Sequence, residues 1–393
     1  MKFEVLYLNP TGQLGGAEYS LLDLAAALDR GRFAPLIACL GEGPLVAAAK
    51  ARGVEAVSLG LPSSFARLSL KGRRSGPLAL AASAMSAAPL AWRIRRLAAR
   101  AGIVHTNGTK AHVLGGLVRG GPPLVWHVRD FWRAGAVERF MVRLAGRRVD
   151  AVIANSVAVA RHLARMGVPS RLVHAVPNGI DAERFTPDGD AAPLREENGW
   201  PSDAPVVGIV GMLARWKGQD VVLRAFAGLL RNRPDARCVI AGDEIYVTRG
   251  QTGFKSELQQ LARELGIEHA VRFTGYRTDV PALLRALDVV VHASVEPEPF
   301  GRVVAEGMAC GRPVIATRVG GVPEITGQSG RAGLLVPLGD VNALSDALLH
   351  LLADPDRRLA MGEAARRRIE SRFPLAAMVD AYERLFLRLA DRA

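Results

Sequence analysis

The chain has 393 residues, 49% of them hydrophobic, which is more than one ordinary core accommodates and predicts two folded domains rather than a disordered chain. Three widely spaced cysteines, Cys39, Cys238 and Cys310, exclude a disulfide framework and a cysteine-built zinc site. The 51 basic and 38 acidic residues give a net charge of +13, and residues 51–150 hold 17 basic against 4 acidic, so the whole excess lies in that window and predicts one local basic surface facing an anionic partner.

The opening MKFEVLYLNP reads as a strand rather than a signal peptide, which predicts a cytoplasmic chain. Short apolar runs at Glu4–Asn9, Pro35–Leu40, Val54–Leu59, Ile103–Asn107, Leu124–Val128, Ala151–Asn155 and Leu172–Val176 predict strands, with helical segments between most of them. The Ala-rich stretch from Gly76 to Trp92 lies between Lys71-Gly72-Arg73-Arg74 and Arg93-Ile94-Arg95-Arg96. It is too weakly apolar to span a bilayer and suits a basic helix lying on an anionic leaflet. A polar stretch running on from Pro177-Asn178-Gly179-Ile180-Asp181 to Pro205 reads as an interdomain connection. A second series of strands follows at Val206–Val210, Arg237–Ala241, Val271–Thr274, Val289–His292, Val314–Ala316 and Leu334–Val336. The tail is helical and basic, with a change of direction at Phe373-Pro374.

Alternating strands and helices give an α/β chain of two Rossmann-like, doubly wound parallel-sheet domains facing each other across a cleft, with ligands expected at the carboxyl ends of the strands. The expected division is residues 1–180 with a returning helix at 374–393, and residues 181–373.

Three loops carry the chemistry. Thr11-Gly12-Gln13-Leu14-Gly15-Gly16-Ala17-Glu18 joins the first strand to a helix, and Gly15 and Gly16 let backbone amides approach a phosphate. Gly211-Met212-Leu213-Ala214-Arg215-Trp216-Lys217-Gly218 places two cations, Arg215 and Lys217, where they would clamp a diphosphate. In Glu296-Pro297-Glu298-Pro299-Phe300-Gly301-Arg302-Val303-Val304-Ala305-Glu306-Gly307 a loop carboxylate, Glu298, precedes a helix start, and Glu306 lies in an apolar segment. Carboxylate acceptors beside free helix-start donors suit a polyhydroxylated ligand.

With these motifs the sequence resembles the retaining GT4 glycosyltransferases of GT-B fold, also called glycosyltransferase group 1. Glu298 and Glu306 match the E-x7-E pattern, and Gly15-Gly16-Ala17-Glu18, Val176-Pro177-Asn178-Gly179-Ile180-Asp181, Trp216-Lys217-Gly218 and Gly320-Gly321-Val322-Pro323-Glu324 match in the family's order over essentially the whole chain. The resemblance implies a hexosyltransferase that moves sugar from a nucleotide-sugar, UDP- or GDP-linked, to an acceptor hydroxyl of a glycan or lipid-linked saccharide in cell-envelope synthesis. It implies retention of configuration and no metal or other cofactor.

Carried over by position, Glu298 would contact the transferred sugar and Glu306 the ribose. Lys217 would hold the diphosphate with the amide of Gly16, the amides of Phe300, Gly301 and Arg302 would meet sugar or phosphate, and the base would lie on Tyr276 and Arg277. His127, in Trp126-His127-Val128-Arg129-Asp130, matches a histidine near the transferred sugar, and His105, Asn107 and Lys110 are candidates for the acceptor side. One departure is Met212, where the family usually has arginine; Arg215 is the expected substitute. Two competing readings are a sugar-nucleotide epimerase or hydrolase of the same shape, and a nucleic-acid-binding protein. The basic window lacks the aromatics interleaved among cations that the latter needs. The expected location is therefore the cytoplasmic face of the membrane, with an anionic lipid surface as partner.

Overall fold

In the computed structural model, residues 2–60, 89–117, 121–133, 135–190, 192–197, 199–244 and 253–391 are described. The Ala-rich stretch and the Lys71–Arg74 cluster lie outside them, except for a helical segment at residues 89–98 that carries Arg93, Arg95 and Arg96. The chain forms two compact units, Met1–Gly179 with Leu375–Ala393, and Ile180–Pro374.

The first unit is built on a seven-stranded parallel sheet: β1 (Phe3–Asn9), β2 (Phe33–Cys39), β3 (Glu55–Ser58), β4 (Ile103–Asn107), β5 (Leu124–Val128), β6 (Ala151–Ala154) and β7 (Val173–Ala175), in the order β3-β2-β1-β4-β5-β6-β7. The strands are continuous apolar runs rather than alternating ones because helices cover both faces; every residue of β4, β5 and β6 is buried. The second unit repeats the design with six parallel strands: β8 (Val206–Val210), β9 (Arg237–Ala241), β10 (Val271–Gly275), β11 (Val289–His292), β12 (Val314–Thr317) and β13 (Leu334–Val336), in the order β10-β9-β8-β11-β12-β13. Both sheets are doubly wound, as the alternation of strand and helix predicts. All thirteen predicted strands are present, six with the predicted bounds and the others with ends displaced by one or two residues.

The helix Pro355–Arg372 stops at Phe373-Pro374, since the proline has no amide to continue the helical ladder, and the chain resumes as Leu375–Ala390. This last helix returns to the first unit, where Met378, Tyr382, Leu385, Phe386 and Leu389 join the core with Val5, Tyr7 and Ile103. One polar contact is embedded there: the Tyr382 hydroxyl lies 2.7 Å from His127 Nδ1, and Arg129 Nη2 lies 3.1 Å from the same nitrogen.

Three histidines of this unit, His105, His112 and His127, are buried, and burial pushes all of them down, His112 to about 3. They are neutral when folded and take up protons on unfolding once the pH falls below their ordinary value of 6.5. Where the unfolded chain binds more protons, stability falls as the pH falls, here by up to about 1.4 kcal/mol per pH unit for each group. Half-buried His174, also pushed down by burial, adds to this, and Glu18, whose carboxyl burial raises, opposes it as one group against four. In guanidinium unfolding followed by tryptophan fluorescence, the first unit's midpoint is expected to hold between pH 8 and 7 and to drop from pH 6.5 to 5. A flat profile would contradict the neutral cluster.

Candidate functional site

The order of the second sheet reverses between β8 and β11, and open α/β sheets bind ligands at the carboxyl ends of the strands flanking such a point. β8 runs through Gly211 into a single turn, Arg215–Lys217, and then the helix Gln219–Leu230. Gly218, between turn and helix, has φ +71°, and a Cβ there would lie 2.1 Å from the carbonyl oxygen of Ala293. The loop carrying Lys217 is thus pressed onto the backbone leaving β11, and Val295 N donates to Trp216 O at 2.9 Å. Leucine- or alanine-sized side chains at position 218 would separate the two loops.

That approach brings together residues 81 positions apart: Lys217 Nζ donates to Glu298 Oε2 at 2.6 Å. The same oxygen accepts the Ser294 hydroxyl at 3.2 Å and lies 3.5 Å from His292 Nε2. Burial acts to raise the Glu298 carboxyl, but the Lys217 ammonium and the hydrogen bond and charge of His292 outweigh it, holding the group well below the usual carboxylate range. Glu298 is therefore ionised at neutral pH.

The loop after Glu298 ends at Gly301, with φ +100°, and the helix Arg302–Ala309 begins. Gly301 O accepts Val304 N at 3.0 Å and Ala305 N at 3.3 Å, so the Val303 amide ahead of them is one the helix start can offer a ligand. Phe300 directs its ring into the core against Phe373, at 5.8 Å between centroids, so that only its backbone is available. Glu306 is buried in this helix, and Arg302 Nε donates to its Oε1 at 2.5 Å. A buried carboxylate with a guanidinium partner is a preformed acceptor of hydroxyl protons.

The other predicted residues of this unit are placed differently. Arg215 turns to Glu257, with both carboxylate oxygens within 2.6 Å of Nη2, and lies over the Phe254 ring. Tyr276 is exposed after β10, while Arg277 is held by Asp279 and Glu197. Met212 contributes only its carbonyl, which accepts Gln219 Nε2 at 2.9 Å.

In the first unit, Gly15 and Gly16 open the helix Gly16–Ala27, and a Cβ at Gly16 would meet nothing within 4 Å, which leaves the helix start accessible. Glu18 fastens the loop from inside, accepting Gly15 N at 3.1 Å and Asn9 Nδ2 at 3.2 Å. His127 and His105 are fully buried; His105 packs between the rings of Tyr7, His127 and Tyr382. Asn107 closes β4, and Lys110 follows it, half-buried, with its ammonium pushed down by burial.

Two family models divide the chain between them: Glycosyltransferase Family 4 matches residues 14–184, and Glycosyl transferases group 1 matches residues 190–368. The lipopolysaccharide core biosynthesis mannosyltransferase LpsB of Rhizobium meliloti is 33% identical over 244 residues, 61% of this chain and 67% of that protein. The chain belongs to the group 1, family 4 glycosyltransferases. The D-inositol 3-phosphate glycosyltransferase of Corynebacterium jeikeium is 42% identical over 224 residues, which is 55% of this chain and only 52% of that relative's length. Among solved structures, Anabaena HepE in complex with UDP and glucose superposes with a TM-score of 0.84 at 28% identity, covering 98% of this chain and 99% of its own. HepE has also been solved with UDP-glucose.

In this family member, the side chains that sequence reading left unassigned are His292, Ser294 and Thr317. His292 and Ser294 bear directly on Glu298, and Thr317 reaches His292 Nδ1 at 3.4 Å. A hydroxyl four residues before the glutamate is the one signal in the sequence that marks them.

Proposed function

We propose that this family member is a retaining, metal-independent hexosyltransferase that takes sugar from a UDP- or GDP-linked donor. The observation that carries the reading is the Lys217–Glu298 pair at the strand-order reversal, in front of the open start of the helix Arg302–Ala309. The loop and helix then offer a cation for a diphosphate, backbone amides for sugar or phosphate oxygens, and two carboxylates for hydroxyls. In the reaction, Lys217 neutralises the negative charge that builds on the departing diphosphate, and Glu298 holds the transferred sugar through a hydroxyl. Glu306 takes the ribose and the rim of Tyr276 and Arg277 takes the base. Arg215 joins the diphosphate by exchanging Glu257 for phosphate; this pair is half-exposed on both sides, and such pairs contribute only about 0–1 kcal/mol.

The acceptor is assigned to the end of β4 in the first unit, where Asn107, Lys110 and the buried His105 lie, and His127, near the end of β5, to the side of the transferred sugar. We also assign the basic window to an anionic membrane surface carrying a lipid-linked acceptor. In support, Trp92 on the segment 89–98 is exposed with Arg96 stacked 4.9 Å from its ring, and Phe140 is exposed on the helix Ala136–Arg148, which also carries Arg139, Arg143 and Arg147. Contrary to the expectation from the sequence, aromatics do interleave with arginines here, and such side chains on helices suit a headgroup interface. No helix among the described residues is long and apolar enough to cross a membrane.

Thermal-shift titration with UDP-, GDP-, ADP- and dTDP-sugars tests the donor reading, since a ligand at 100 times its Kd adds about 2.7 kcal/mol of stability. A stabilising response to at least one UDP- or GDP-sugar is expected, and no response to any would remove it. Proton NMR of the product reads its anomeric configuration, EDTA leaves the rate unchanged if no metal is needed, and equal sedimentation with neutral and anionic vesicles would refute the membrane assignment.

A further inference from the structure

We propose that His292 and Ser294 are positioning residues that hold one carboxylate oxygen of Glu298, Oε2, so that the other, Oε1, is presented alone to the transferred sugar. The sugar contact rests on the function proposed above; the anchoring of Oε2 does not.

The asymmetry of the carboxylate carries the argument. Oε2 receives Lys217 Nζ at 2.6 Å and the Ser294 hydroxyl at 3.2 Å, with His292 Nε2 at 3.5 Å. Oε1 has no protein hydrogen-bond partner among the described residues, although the side chain is only 17% exposed. A single lysine would let the carboxylate swing about a flexible stem; three contacts on one oxygen from two directions fix its plane. The two anchors come from the rigid end of a buried strand: His292 is the last residue of β11, 4% exposed, and Ser294 is 1% exposed.

Hydrogen-bond donors in the layer beneath are already committed, which fixes the direction of the chain of contacts. Thr317, at the end of β12, donates its only hydroxyl proton to Ser294 O at 3.0 Å. Its oxygen is therefore left to face His292 Nδ1 at 3.4 Å, which orients the ring with Nε2 toward Ser294 Oγ, at 3.1 Å, and Glu298. Thr317 thus sets the histidine, the histidine and serine set the glutamate, and the glutamate sets Lys217. The chain crosses two neighbouring strands and one loop of a single unit.

The test separates sugar from nucleotide. Thermal shifts with UDP and with UDP-glucose are measured on the full chain and on the Ser294→Ala, Ser294→Thr and Thr317→Val variants. The wild-type chain is expected to respond more to UDP-glucose than to UDP. Ser294→Ala should lose that increment, equivalent to about a tenfold weaker hold on the sugar, the size expected for a hydrogen bond to a charged group. The response to UDP should be retained, Ser294→Thr should restore the increment, and Thr317→Val should reduce it. A general packing defect would lower both responses together. An unchanged increment in Ser294→Ala, or no restoration by Ser294→Thr while the UDP response is intact, overturns the proposal.

A wild-type chain that shows no increment for UDP-glucose counts against the donor reading instead, and the anchoring is then decided without ligand. In denaturant unfolding at pH 7, Ser294→Ala should shift the midpoint less in a Glu298→Ala background than in the wild type. Equal shifts in the two backgrounds would show that the serine does not act through the glutamate.

Discussion

Gly320→Ala is expected to destabilise the second unit by roughly 2–4 kcal/mol and to dismantle the site without touching any of its polar side chains. Gly320 has φ +59°, and a Cβ there would sit 2.0 Å from the carbonyl oxygen of Glu298 and within 2.9 Å of its backbone nitrogen. The atoms in the way are backbone, so no rotamer change relieves the clash. The next amide, Gly321 N, donates to that carbonyl at 2.9 Å, and this bond is lost when the loop is pushed away. The left-handed conformation costs alanine about 1–2 kcal/mol, the lost hydrogen bond about 1, and displacement of Glu298 from Lys217 adds to both. Gly16→Ala is the contrast: its Cβ enters open space at the start of a helix, and stability should change by no more than about 1 kcal/mol. Guanidinium midpoints of the two variants check the pair; similar midpoints would mean that the Gly320 loop yields, and that the close approach does not hold Glu298 in place.

The contrast also shows what can be read from the chain and what cannot. The central strands are visible as apolar runs because a sheet covered on both faces requires them, and the break at Phe373-Pro374 is visible because proline stops a helix. The glutamate motif is local, and its burial of Glu306 follows from the small apolar residues on either side. Partner choice over long separations is not local. Arg215 and Lys217 look equivalent in sequence, yet one meets Glu257 on the exposed helix Phe254–Glu264 and the other meets Glu298 in the site. That choice depends on which side of the turn Arg215–Lys217 faces the end of β11. The burial of His127 beside Tyr382, 255 residues later, depends in the same way on where the last helix returns. Thr317 carries no pattern of its own, and Ser294 only its spacing of four residues from Glu298; their meaning comes from the hydrogen bonds they make.

Lys217→Met should be the most damaging substitution for catalysis, lowering kcat by roughly 10²–10³-fold, the usual consequence of removing one charge-stabilising donor from a developing anion. Methionine keeps most of the apolar stem, so the loss is of charge rather than of packing. Its effect on stability depends on pH, with a definite sign. The depressed Glu298 carboxyl stabilises the folded chain above its ordinary value of 4.5, and this contribution is lost as the pH falls below that. Without Lys217, its strongest stabilising partner, the carboxyl is left to burial on one side and to His292 and Ser294 on the other, and its folded value moves up. The variant is therefore less stable than the wild type at neutral pH, by about 1–3 kcal/mol for a pair this deeply placed, and the gap narrows as the pH falls below 4.5 because the wild type loses the same contribution. Unfolding curves of the two chains at pH 7, 5 and 4 measure the narrowing. A difference independent of pH would mean that Lys217 stabilises the loop by packing alone, and that Glu298 does not depend on it for its charge.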